Sequence, residues 1–429
     1  VMFDQCKALI IGLQKRGAVV GSSLNTAYLL ERLSQTLERL ETLMAIFVSN
    51  RYLPRRILLL TGCFARAAAE RHSISRLWKQ SSGLIARSVT QNAGDHGEHY
   101  ITRDKKEYWA MFYSAAGGGV LIALMALFKT YLGSIIDDKV WKGLAEGLNY
   151  GFGFMVIFML HFTVATKQPA MTAARFAEAV EKNPQGKTLN MKLAQLLVDV
   201  FRSQSVAVLG NVVVAMGLAA LIAFVYQHQT GEPLMNSENI AYQLHRIDPL
   251  DGSLWFAAIA GVWLFCSGII SGYFDNRSNY LNMRMRLAQH PLLKKLMSEK
   301  SRVKFANYMH ENYGSLIGNF CFGMLLGLTG LVGYLTHLPL DIRHVAFSSA
   351  NLGYSAVSGQ FAYPFFLQCI AFVLLIGLVN LMVSFSLTLW VALRSLNTEI
   401  DSWWAIWHEV CQIVRKRPLS LFFPVQLDK

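Results

Sequence analysis

The sequence predicts an all-α fold: a polytopic transmembrane helical bundle of about six spans, both termini cytoplasmic, joined to a helical cytoplasmic N-terminal region. Three observations predict it. Of 429 residues, 53% are hydrophobic and only 16% are charged, against about 25% charged in soluble domains. Six apolar runs reach the roughly 20 residues that a helix needs to cross a hydrocarbon core. Basic residues alternate between abundant and scarce from one connection to the next. The composition excludes a purely soluble, disordered, collagenous or disulfide-stapled protein.

Taken in order, residues 1–108 read as a cytoplasmic helical region, the end of a longer N-terminal domain. No basic-apolar-cleavage pattern follows Val1, so no signal peptide is expected and the native start is expected upstream. Between Asn25 and Val48, Leu30, Leu33, Leu37, Leu40, Met44 and Phe47 step by threes and fours, with Glu31, Arg32, Glu38, Arg39 and Glu41 between them. This is a heptad seam, open to two readings: packing within its own bundle or a dimerising coiled coil. Pro54 closes that helix, and an Arg-rich helix is expected from about 55 to 79.

Residues 109–393 read as the transmembrane bundle, with spans at 109–128, 144–165, 205–226, 254–274, 315–336 and 365–391. None contains Lys or Arg. The second is the weakest, because Glu146 and His161 lie inside it, and without it the count becomes five. Of 40 basic residues, 16 precede the first span, 6 lie in the second-to-third connection, 8 in the fourth-to-fifth and 5 after the last, while the alternate connections hold 3, 1 and 1. Lys and Arg near membrane ends stay cytoplasmic, so 35 against 5 places both termini inside. The formal charge of +13 therefore reflects topology and attraction to anionic lipid, and nucleic acid is not an expected partner.

The connection 275–314 alternates Leu292, Leu293, Leu296, Val303 and Phe305 with Lys294, Lys295, Lys300, Arg302 and Lys304 and is broken at Pro291. It suits an anionic membrane surface, packing on the N-terminal helices, or contact with nucleic acid. The opposite segment, 337–364, carries only Asp341 and Arg343 as formal charges and is rich in Ala, Ser and Gly. A solvated loop would be more polar, and the mixture suits a short helix capped at Asp341. That helix is expected to be re-entrant or interfacial and to line a functional cavity, or else to be a lid packing over the bundle. Residues 394–429 read as an interfacial helix and tail, with Trp403, Trp404 and Trp407 ahead of Arg415, Lys416 and Arg417.

Several residue groups tempt a chemical reading. Asp95, His96, Glu98 and His99 form a D-H-x-E-H cluster, but the flanking Gly94 and Gly97 imply a loop, and His96, Glu98 and His99 remain weak metal candidates. Intramembrane ionisable residues mark pathways, so Glu146 and His161 suit a relay, or polar anchors near the two interfaces. With Asp341, Arg343 and His344 they form the candidate cavity, Arg343 and His344 at its mouth. Glycines at 117–119, 147, 151, 268, 272, 323 and 327 suit close helix packing, while the triple glycine also suits a hinge or a discontinuous helix. No cofactor is expected, since no phosphate loop, dinucleotide fingerprint or H-E-x-x-H is present. Cys6, Cys63 and Cys411 fall in cytoplasmic parts and the other three in spans, which matches a reducing compartment.

The segments Gly97-Glu98-His99-Tyr100-Ile101-Thr102, Gly272-Tyr273-Phe274-Asp275-Asn276-Arg277 and Leu340-Asp341-Ile342-Arg343-His344-Val345-Ala346-Phe347, set on this span pattern, resemble the bacterial transmembrane family labelled site-specific recombinase. The resemblance covers nearly the whole chain. It implies a multi-pass inner-membrane protein of a Gram-negative bacterium with a longer N-terminal region, and by its label a link to DNA rearrangement. Recombinases need a Tyr or Ser nucleophile with Arg, Lys and His groups around one phosphate. The chain has no His-x-x-Arg motif, and the Arg343-His344 pair falls on the expected outer side. Residues 1–108 carry no helix-turn-helix signature. The expected function is a structural, assembly or envelope-associated role without catalysis, with anionic lipids and other membrane or envelope proteins as partners. Transport or lipid handling is the alternative, and then recombination or a membrane anchor for it.

Overall fold

A computed structural model describes residues 2–20, 24–48, 53–69, 101–102, 104–164, 180, 187–395, 400 and 402–424. Among these residues the regular structure is helical throughout. The helices are α1 (Met2–Val20), α2 (Leu24–Val48), α3 (Leu53–Ala69), α4 (Lys105–Ile135), α5 (Lys139–Met159), α6 (Lys187–Thr230), α7 (Ser237–Ile247), α8 (Ser253–Tyr280), α9 (Met283–Gln289), α10 (Pro291–Leu296), α11 (Glu299–Thr336), α12 (Val345–Ser358), α13 (Tyr363–Ser395) and α14 (Trp403–Lys416). Several starts are set by side chains that accept orphan backbone donors: Asp104 from Glu107 N, Asp138 from Val140 N and Trp141 N, Asn236 from Asn239 N, and Ser402 from Ala405 N.

The chain divides into two compact units, residues 1–92 with 272–313, and residues 93–271 with 314–429. In the first, the heptad residues fall on α2, where Leu33, Leu40 and Met44 stay about half exposed, and Lys7 of α1 pairs with Glu41. The Arg-rich helix is α3 as far as Ala69, and its expected remainder lies outside the described residues. Pro291 opens α10 rather than only breaking a helix, a first-turn position that needs no N–H. Arg302 Nε donates to Ala288 O at 2.6 Å, tying α11 to the end of α9.

The second unit is the bundle. Among the described residues five helices are long and apolar enough to cross a membrane: α4, α6, α8, α11 and α13. The second expected span, the weakest of the six, is not among them. The second expected span is α5, 21 residues that begin among Lys139 and Lys142 and end at Met159, short of the expected 165. His161 then turns the chain with left-handed backbone, φ 58°. Its packing nevertheless gives α5 a clear direction. Lys142 meets Gly133, Asn149 meets Met125 and Thr163 meets Ser114, so α5 runs antiparallel to α4 along nearly its whole length. Ala115 meets Gly210 and Gly119 meets Ala215, so α4 and α6 are parallel. The chain therefore returns between them through α5. By the same reasoning α11 is antiparallel to α5 and α8, and the six helices alternate in direction. The distal end of the bundle is where α4, α6 and α11 finish; the proximal end is where they begin.

Glycine decides which of these helices touch. Gly143 of α5 faces Leu331, where a Cβ would stand 2.9 Å from Leu331 Cβ, and a Cβ on Gly323 or Gly327 of α11 would collide with the backbone at Tyr150 or Gly147. The first span's triple glycine is a contact and not a break: α4 is continuous through it, and a Cβ on Gly119 would stand 2.8 Å from Asn211 O of α6.

After α11 the chain reverses at His337, whose backbone is left-handed at φ 54°, and folds back along that helix. Leu340 packs at Gly333, Asp341 near Gly330, and the His344 ring lies 5.8 Å from Phe322. Helix α12 then climbs back toward the distal end, where Ser358 Oγ accepts from Met235 N at 3.3 Å. The small residues Ala346, Ser349, Ala350 and Gly353 let it sit among α4, α5, α6 and α13 with almost no exposed surface. Its Tyr354 hydroxyl donates to Ala123 O at 3.0 Å. His344, not Asp341, is the residue ahead of its first turn. It lies against Phe154 and Phe322, each about 20 Å along its helix from the distal end at 1.5 Å per residue. At the proximal end, α14 buries Ile406 and Val410 beside Leu193, Val198 and Leu389 and leaves Trp403, Trp404 and Trp407 exposed.

Candidate functional site

The descent into α12 carries the densest group of charges in the bundle. Asp341 is its centre. One carboxylate oxygen accepts from Ile342 N at 2.7 Å and the other from Arg343 Nη1 at 2.6 Å, while Arg246, at the end of α7, stands 3.7 Å away. Arg343, 7% exposed, also donates from Nε to Arg246 O at 2.7 Å and from Nη1 to Ile342 O at 2.8 Å, and its guanidinium lies 4.8 Å over the Phe256 ring. Arg246 donates to the Tyr242 hydroxyl at 2.8 Å and to Ile342 O at 3.2 Å.

Burial alone would raise the Asp341 carboxyl, but Arg246 and then Arg343 outweigh it and hold the group down at about 2. Burial, then repulsion from Arg246, lowers Arg343. Burial acts most strongly, to lower Arg246, but the Asp341 carboxylate together with Tyr242 and Tyr150 outweighs it and the guanidinium is raised.

A second pair adjoins this triad. Lys129 of α4 and Glu146 of α5 make an ion pair of 3.0 Å, and Lys129 Nζ lies 5.5 Å over the Tyr150 ring. Tyr150 in turn packs on Phe347 of α12 with ring centroids 4.3 Å apart, and Arg246 acts electrostatically on both Lys129 and Tyr150. The group therefore holds three cations, Lys129, Arg246 and Arg343, against two carboxylates, Glu146 and Asp341, a formal surplus of one positive charge.

Of the residues flagged by sequence, Asp341 and Arg343 meet here, Glu146 pairs with Lys129, and His344 follows Arg343 in the chain with its ring against Phe154, Phe322 and Phe347. His161 does not: it lies toward the proximal end, where its carbonyl accepts from Ser114 Oγ at 3.0 Å, because α5 ends before reaching it. His96, Glu98 and His99 lie outside the described residues. Among the described residues no group of three or more His, Cys, Asp or Glu is arranged to hold a metal. Lys129, Tyr150, Tyr242 and Arg246 were missed. Lys129 had a visible signal, since it follows the expected first span by one residue and Glu146 sits at the mirror position after the turn.

A depression of about 580 Å³ lies outside the group, between α4 and α5.

A family model described as Site-specific recombinase matches residues 1–424. The chain belongs to the site-specific recombinase family. No curated protein and no solved structure matches it. In this family member, tyrosine and basic groups meet at two places among the residues just described. Tyr150 is enclosed, at 3% exposure, whereas Tyr242 is exposed and shares α7 with Arg246 and with His245, which pairs with Asp251.

Proposed function

We propose that this chain is a multi-pass protein of a bacterial inner membrane with a structural or assembly role and no catalysis. The observation that supports this reading best is the closed packing of α12. Its small side chains let it sit buried among α4, α5, α6 and α13, and the nearby charges are paired as Lys129 with Glu146 and Arg246 and Arg343 with Asp341. In this reading the proximal end is cytoplasmic, which puts both termini and the loops around Lys187 and Lys295 inside by the bias of basic residues. The exposed tryptophans of α14 then sit at the cytoplasmic interface near anionic lipid.

The test is accessibility in native membranes, on a background without the natural cysteines. Ser349→Cys and Ser355→Cys, near-isosteric changes at positions 0% and 1% exposed, are expected to resist small charged thiol reagents from either side. Modification from either side would overturn the closed reading and favour transport, the alternative that the surplus cation and the re-entrant helix support. Strand exchange has a separate test. A covalent DNA adduct trapped on a suicide substrate and lost in Tyr242→Phe would replace the non-catalytic reading.

A further inference from the structure

The depression between α4 and α5 has three features that belong together. It is lined by Leu121, Leu124, Phe128 and Leu132 on one side and by Leu148, Phe152 and Val156 on the other. Several of these, including Leu124, Phe128, Leu148 and Phe152, are about half exposed, so it opens away from the bundle. Its floor exists because residue 153 is glycine: a Cβ there would stand within 2.9 Å of Met125 Cγ and collide with the rest of that side chain. Asn149, the polar residue at the floor, is tied off by donating to Met125 O at 3.0 Å. A groove with this lining offers dispersion contacts and no polar recognition along its length.

Its length and its mouth are more specific. From Leu121 to Leu132 the groove follows about 16 Å of helix, roughly half of a hydrocarbon core about 30 Å thick, which is the depth of one leaflet. At the distal mouth, Tyr131 and Trp141 are exposed, the residue types that settle at a membrane interface. Lys142 stands there too, with Nζ 3.1 Å from where a Cβ on Gly133 would lie. Among the described residues no carboxylate pairs with it, whereas Lys129 has Glu146 and Lys139 lies 4.1 Å over the Tyr334 ring.

We infer that this groove is a binding site for one anionic phospholipid of the distal leaflet, an acyl chain lying between α4 and α5 and the phosphate resting on Lys142. Ordinary boundary lipid has no reason to choose a headgroup charge here, whereas a cation without a partner at the mouth of a one-leaflet groove does. The inference rests on the membrane-embedded reading and is independent of whether the role is structural or one of transport.

The test uses the full chain in mild detergent, delipidated and given phosphatidylglycerol or phosphatidylcholine, with bound lipid counted by native mass spectrometry. Wild type is expected to keep one phosphatidylglycerol under activation that strips phosphatidylcholine. Lys142→Ala should lower the retained fraction several-fold. Leu148→Trp and Val156→Trp, which fill the groove from exposed positions near its two ends, should abolish retention at unchanged melting temperature. Equal retention of both lipids, or retention unaffected by Lys142→Ala or by both tryptophan variants, would overturn the site. A chain that stays soluble without detergent would instead overturn the membrane reading.

Discussion

Arg202 and Arg343 are buried to similar depth, 4% and 7% exposed, near opposite ends of the bundle, and they start from the same chemistry. Each has a carboxylate close in sequence, Asp199 at 2.9 Å and Asp341 at 2.6 Å. Each also donates to backbone carbonyls: Arg202 to Thr102 O at 2.5 Å and Ser420 O at 3.3 Å, Arg343 to Arg246 O and Ile342 O. They differ in charge balance. Arg202 shares Asp199 only with the neutral Gln195, whose Nε2 donates to it at 3.0 Å, and its carbonyls join the segment before α4 to the chain after α14, so it clips two remote pieces onto α6. Arg343 shares Asp341 with Arg246, and Arg246 also acts on Lys129 of the Lys129–Glu146 pair. A balanced clamp holds chain segments together. An unbalanced one holds them together while storing repulsion, which makes its single shared carboxylate the point on which it depends.

The sharpest way to break this contrast is to remove the two carboxylates in turn. Asp341→Ala leaves two enclosed guanidiniums facing each other and is expected to cost about 3–5 kcal/mol, the size reported for orphaning a buried charge. Asp199→Ala leaves Arg202 with its two carbonyls and is expected to cost about 1–3 kcal/mol. Thermal unfolding in detergent measures both, and the reverse order would show that the surplus charge at the distal end does not matter.

Removing the arginines should separate what each clamp holds. Arg202→Ala is expected to raise amide exchange in the turn at Pro418–Leu421 and leave the start of α12 protected, whereas Arg343→Ala should do the opposite at 342–346. Each loses about 1–3 kcal/mol per buried group left without its partner. Loss of protection at both ends in either variant would mean that the bundle opens as one unit.

Acid should distinguish the clamps next. The Asp341 carboxyl is held at about 2, below its value near 4 in an unfolded chain. A lowered folded pKa gives stability that is fully present above the unfolded value and lost as pH falls from about 4 through about 2. The stability gap between wild type and Asp341→Asn is therefore expected to be constant at neutral pH and to close across that window. A gap that stayed open below pH 2 would contradict the assigned charge state.

The smallest effect concerns the second pair. Glu146→Gln should destabilise by about 1 kcal/mol by raising the surplus from one charge to two, and adding Lys129→Met should recover most of it, a coupling within the usual range for contacting residues. Additive losses would place Lys129 and Glu146 outside the charged group.

The helices and the small-residue surfaces were legible in the chain itself. Periodicity, apolar length and caps do not depend on partners, so the expected spans land on α4, α6, α8, α11 and α13, and the Ala-, Ser- and Gly-rich stretch lands on α12 because only side chains of that size let a helix be enclosed on all sides. Asp341, Arg343 and Glu146 stood out because charge in apolar sequence is costly wherever it lies. Which charges meet was decided by tertiary structure alone. Lys129, Arg246 and Arg343 come from three segments brought together by the antiparallel return of α5 and the reversal at His337, and sequence spacing carries no record of such a meeting. His161 shows the same limit from the other side, since a single left-handed turn after Met159 placed it outside the group. Composition is a sum over residues and survives rearrangement, whereas an ion pair falls off with a distance that only the folded chain sets.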